Sequence, residues 1–103
     1  AAAERGWQLF MSDRAGCTQC HAGPLFTSEG LHEVGLSRSS DRYEGFSPPS
    51  LLGLHRKTRF LHTGKAKSLE AVLTKYHSPE QVLGLEPLGD DDVADLVAYL
   101  QSL

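Results

Sequence analysis

Two cysteines, and only two, occur in the 103 residues, and a histidine follows the second directly: Cys17-Thr18-Gln19-Cys20-His21. Few five-residue stretches constrain a small chain as tightly. A redox dithiol has this spacing but sits beside a βαβ pattern, and nothing in the chain reads as βαβ. A structural zinc site needs four ligands as a rule. No second cysteine pair exists to complete one, and His32, His55, His62 and His77 stand at no natural pairing distance. What remains is C-x-x-C-H, the haem-attachment sequence. Two thiols at this spacing can each form a thioether to neighbouring vinyl groups of one porphyrin. His21 is then held beneath the iron as the proximal ligand. Its second ring nitrogen should donate to a backbone carbonyl, and the Gly23-Pro24 turn is placed to offer one.

Such a group would also explain the layout of the chain. Three segments have helical periodicity. The first runs from about Ala2 to Met11, with Ala3, Trp7, Phe10 and Met11 on one apolar stripe and Gly6 four residues before Phe10. The second starts at Ser68, an N-cap, carries Leu69, Val72 and Leu73, and should end near Tyr76 to Ser78 because Pro79 follows. In the third, Gly89 breaks the chain, Asp90 caps, and Val93, Leu96, Val97 and Leu100 recur at helical spacing. Between the first two lies a long Gly, Ser and Pro-rich stretch. A loop of that length in a compact domain needs something beneath it, and a haem supplies it. A domain of this size often completes its core with a cofactor.

Charge narrows the partners. The net charge of −3 leaves no basic excess for nucleic acid. Arg56, Lys57, Arg59, Lys65 and Lys67 are half of the ten basic residues, and no basic residue follows Glu80. These stretches read as two solvated faces, or the basic one meets haem propionates (Arg59, Lys57 and Lys65 being the candidates) or an acidic partner. No apolar run approaches the roughly 20 residues of a membrane span. The first residues have neither a charged nor an apolar signal region, so the chain reads as a mature form or as a domain of something larger.

With these residues in view, a family resemblance can be stated. Gly6-x-x-x-Phe10, C-x-x-C-H and the aromatic last helix around Leu96-Val97-Ala98-Tyr99-Leu100 resemble the cytochrome c fold. That fold is all-α, its first and last helices crossing at the glycine and long irregular loops surrounding one haem. The middle of the chain is more particular. Cys20 to Thr27, Leu31 to Leu36, Phe46 to Leu51, Arg59 to Gly64 and Ser68 to Val72 resemble the C-terminal haem domain of bacterial di-haem cytochrome c peroxidases and MauG-like proteins. Thr63 stands where that family often has Asp, and a second haem domain is missing.

The resemblance implies one covalent haem c, an electron-transfer role toward a redox protein or neighbouring redox domain, and a periplasmic or otherwise exported location. It places His62 beside the haem as a hydrogen-bonding group. It also puts the distal iron ligand seven residues after the leucine that opens the second helix, at Tyr76; the peroxidases have methionine there and the MauG type tyrosine. His77 is next door and is the better general ligand. Met11, the single methionine, belongs to the core by its place on the first stripe, and His32 and His55 read as non-ligands. The expectation is therefore a mono-haem domain over 1–103 with His21 proximal and Tyr76 or His77 distal. The alternatives are a module of a di-haem peroxidase or MauG-like oxidase, which needs a second haem, and a gas sensor with an open distal site.

Overall fold

A computed structural model describes residues 1–28, 32, 34, 45, 48–61 and 64–103. Its helices are α1 (Ala2–Phe10), α2 (Leu69–Ala71), α3 (Pro79–Leu83) and α4 (Asp90–Gln101), with a π-helical turn (Val72–Tyr76) continuing α2. Short 3₁₀ turns cover Cys17–Gln19 and Leu54–Arg56. The described residues contain no strand, and their bridges are isolated ones, Ala22–Thr27 and Phe60–Ala66 among them, so the fold is all-α.

The main contact is α1 against α4. Gly6 permits it: a Cβ built on Gly6 would lie 1.9 Å from the carbonyl oxygen of Asp95 and 2.8 Å from Cβ of Tyr99. Only a residue without a side chain lets the two backbones approach so closely. Arg5 grips the Asp95 carboxylate with two hydrogen bonds, Nε to Oδ2 at 3.0 Å and Nη2 to Oδ1 at 3.1 Å. One turn along α1, Phe10 follows Gly6 into the crossing and packs on Tyr99, ring centroids 5.5 Å apart. Leu96, Val97 and Leu100 complete the α4 side of a core that Leu54, Leu69 and Leu73 close from the other elements.

The buried stripe of α1 is therefore Gly6 and Phe10, and two expected members are not on it. Trp7 is 47% exposed and Met11 45% exposed. They too are four apart, but lie round the helix from the Gly6 face, which the nearness of α4 has selected. Met11 is the helix cap rather than a core residue.

The other ends follow local chemistry. Ser68 caps α2, its Oγ accepting from the amide of Ala71 at 3.1 Å. Gly89, not Asp90, is the N-cap of α4, and its amide donates to the Asp92 carboxylate at 3.3 Å. Helix α3 was not expected. Pro79 ends one helix and begins another at its first position, which its fixed φ suits. Ser78 and Gln81 close a reciprocal capping box: the Gln81 amide donates to Ser78 Oγ at 3.1 Å, and the Ser78 amide donates to Gln81 Oε1 at 3.0 Å.

Gly6→Ala should force the helices apart and destabilise the protein by about 2 kcal/mol or more, as over-packing of a close contact does. Ala94→Gly, on the exposed face of α4, should cost only about 1 kcal/mol. Guanidinium denaturation followed by circular dichroism compares the two.

Candidate functional site

After α1 the chain bends through Ser12, whose Oγ donates to the Leu9 carbonyl, and passes Gly16, left-handed at φ 71°. The 3₁₀ turn that follows is tight. The Cys20 and His21 amides both donate to the Cys17 carbonyl, at 3.3 and 2.9 Å. Cys17, Cys20 and His21 thus share one wall of a cavity of about 480 Å³, well inside the ~300–1,000 Å³ range of small-molecule sites. Burial pushes the Cys17 thiol up to about 11 and raises that of Cys20 as well. A redox dithiol needs the opposite, a thiol lowered by nearby positive charge.

His21 is oriented from behind. Its Nδ1 lies 2.9 Å from the carbonyl oxygen of Phe26. A carbonyl only accepts, so in the neutral ring Nδ1 carries the proton and Nε2 holds the lone pair; the Phe26 and Pro49 carbonyls both bond this ring and oppose the larger desolvation that lowers its pKa. The bond has the expected kind, but the carbonyl is that of Phe26 and not of Gly23 or Pro24. Phe26 is a non-glycine residue with φ 54°, inside the loop that the Ala22–Thr27 bridge closes. Its ring meets Phe10 edge-on, centroids 5.7 Å apart. The loop is tied to the next segment through Thr27 Oγ1, which donates to the Pro48 carbonyl, and Ser50 Oγ, which donates to that of Leu25 at 2.6 Å.

The second helical stretch supplies the facing wall. Val72, Leu73 and His77 line the cavity, along with Phe10, Leu96 and Leu100. The imidazoles of His21 and His77 face each other across it, centroids 6.5 Å apart and planes at 76°. Two metal–nitrogen bonds of about 2 Å each, plus the half-widths of two imidazoles, come to roughly that span. Desolvation lowers the pKa of both rings, so both are neutral near pH 7, the form in which imidazole binds a metal. The Nδ1 of His77 is buried with no hydrogen-bond partner among the described residues. Tyr76 is not in the cavity wall; Lys65 Nζ lies 5.1 Å from the centre of its ring.

The other expected residues divide. Arg59 and Lys57 line the cavity and can meet carboxylates there, whereas Lys65 is engaged with Tyr76. His55 is exposed. His62 and Thr63 lie outside the described residues, as do Leu31, Glu33, Gly35, Leu36, Phe46 and Ser47. Sequence reasoning set His32 aside, yet it lines the cavity with Nε2 buried and unpartnered among the described residues. Phe26 lies within the Cys20 to Thr27 stretch, and its part in the site is played by its backbone carbonyl.

These features suit a haem. The walls are largely apolar, two thiols stand beside one imidazole, and a second imidazole faces it. Among the described residues no three His, Cys, Asp or Glu side chains converge as a bare metal ion requires. A large flat macrocycle that brings its own donors to the metal would fit a cavity with this lining.

An all-α chain with this pocket is a haem-binding domain. The cytochrome c family model matches residues 3–103, and the chain belongs to that family. It is 32% identical to the methylamine utilization protein MauG of Methylorubrum extorquens, covering all of this chain and 35% of that protein. It is 26% identical to a cytochrome-c peroxidase of Denitromonas iodatirespirans, again over the whole chain and 40% of the relative. Among solved structures, a MauG-like protein associated with microbial copper homeostasis superposes with a TM-score of 0.80 at 19% identity, over 99% of this chain and 43% of that one. Hydrazine synthase of Kuenenia stuttgartiensis superposes with a TM-score of 0.75 at 21% identity, over 99% and 46%. At those identities the structural likeness concerns the fold. The chain spans about a third to two fifths of the curated relatives' length.

The matured protein should keep its pigment through acid–acetone extraction. Replacing both Cys17 and Cys20 by Ala should release it, and a pyridine haemochrome spectrum of the two fractions measures the loss.

Proposed function

We propose that residues 1–103 form a mono-haem electron-transfer module. One haem c is linked through Cys17 and Cys20, with His21 proximal and His77 distal. The observation that carries this reading is the pair of neutral imidazoles facing each other at 6.5 Å across an apolar cavity. Bound haem supplies a one-electron centre that cycles between ferric and ferrous iron.

The residues of the chain do the rest. The Phe26 carbonyl orients His21 and strengthens it as a donor. Phe10, Leu96 and Leu100 give the site apolar lining. Arg59 and Lys57 can neutralise propionates at its edge. Held by His21 and His77 together, the haem would have no open position, which favours electron relay over gas sensing or peroxide chemistry, since each of those needs one.

The partner is a redox protein or a neighbouring redox domain. Haem c is attached beyond the cytoplasmic membrane, which supports an exported, periplasmic location. No described helix is long and apolar enough to cross a membrane. A second reading, as one relay module of a larger di-haem peroxidase or MauG-like oxidase, draws on the two relatives and on the share of each that this chain covers.

The test is spectroscopic. Haem and protein should be present one to one, and a redox titration should fit a single one-electron wave. The ferric protein should give low-spin, bis-imidazole EPR and near-infrared spectra, unchanged by Tyr76→Phe. Carbon monoxide should leave the reduced spectrum unaltered. High-spin ferric iron, or rapid carbon monoxide binding, would refute the assignment of His77.

A further inference from the structure

The choice of His77 over Tyr76 depends on a single hydrogen bond of unusual register. The His77 amide donates to the carbonyl of Val72, five residues back, at 2.8 Å. An i→i+5 ring of this kind is a π turn, and an ordinary α-helix closes after four. The difference decides which side chain enters the pocket. Val72 and Leu73 both face it. In an α-helix the residue above Val72 is Tyr76; in the π turn it is His77. One extra residue in the ring therefore rotates Tyr76 out of the wall and His77 in.

Two contacts outside the turn hold that register. Gln81 Nε2 donates to the Lys75 carbonyl at 2.6 Å, while its Oε1 accepts from the Ser78 amide at 3.0 Å. The same side chain thus caps α3 and ties its start to the π turn. Lys65 sits over the displaced Tyr76 ring. We propose that Gln81, assisted by Lys65, is a positioning residue that latches the π register and so selects His77 as the distal ligand, with Tyr76 the alternate ligand that an α register would present. The inference rests on the bis-imidazole reading above. In an α register the Tyr76 hydroxyl would face the pocket in place of the His77 imidazole, and as a haem ligand tyrosine binds through its deprotonated oxygen. A hard, anionic ligand of that kind favours ferric over ferrous iron.

Gln81→Glu tests the latch in the haem-loaded chain. It retains an oxygen acceptor for the Ser78 amide but loses the donor to Lys75. Its ferric spectrum should gain a tyrosinate-to-iron charge-transfer band beside the bis-imidazole signal, and adding Tyr76→Phe should abolish the band. His77→Ala alone, with the latch intact, should show no such band, whereas His77→Ala combined with Gln81→Glu should show it as the dominant ferric species, again removed by Tyr76→Phe. Deleting Lys75 places His77 four residues after Val72, so an ordinary α turn should keep the bis-imidazole spectrum. Gln81→Glu on that background should then produce no tyrosinate band.

If wild type is bis-imidazole while Gln81→Glu gains no band that Tyr76→Phe removes, the latch is wrong and the His77 assignment stands. If wild type itself shows a tyrosinate band that Tyr76→Phe removes, the His77 assignment fails and the latch with it. Circular dichroism checks the helix content of each variant.

Discussion

How near α1 can come to α4 determines what the rest of the chain can build. The carbonyl of Asp95 occupies the space where a side chain on residue 6 would stand. That nearness seats Phe10 deep in the crossing, against both Tyr99 and Phe26. The attachment segment begins a few residues beyond Phe10, so the crossing sets where the first wall of the pocket starts. Arg5 adds a polar clasp on the same pair of helices, but it is exposed, and ion pairs in water contribute little. Backbone proximity and aromatic packing hold the pair together.

The two walls are built by different means. The Cys17 side is local, a tight turn whose two amides share one carbonyl, so the order of residues alone almost determines it. The His77 side is assembled from several elements: a capped α2, a π turn, and α3 reaching back with Gln81. The imidazoles meet because a local motif and a composite one are brought to opposite sides of the same apolar space. Desolvation there keeps both rings uncharged.

What could be read from the sequence follows the same division. The tight turn of C-x-x-C-H, the Ser68 cap and the apolar spacing of α4 each show in a few consecutive residues, and each forms where expected. Trp7 and Met11 were misplaced because helical spacing alone offers two neighbouring stripes, and only the partner helix chooses between them. The π turn has no signature of its own, since Val72 and Leu73 suit an α-helix equally well. Helix α3 did have one: Ser78, Pro79 and Gln81 spell a capped helix start, hidden by reading Pro79 only as a stop. The part of Phe26 in the site could not have been found, because it is played by a backbone carbonyl.

That last residue joins two properties usually treated apart. Its ring belongs to the aromatic packing at the helix crossing, and its carbonyl determines how much electron density His21 can offer a metal. A carbonyl acceptor makes imidazole a stronger donor, which stabilises the higher oxidation state of whatever it binds. A centre held by His21 would therefore have its midpoint potential coupled to the hydrophobic interior. Substitutions that merely shift the Phe10 ring, with no atom near the iron, acquire a route to its redox tuning through the φ 54° bend of a single loop residue.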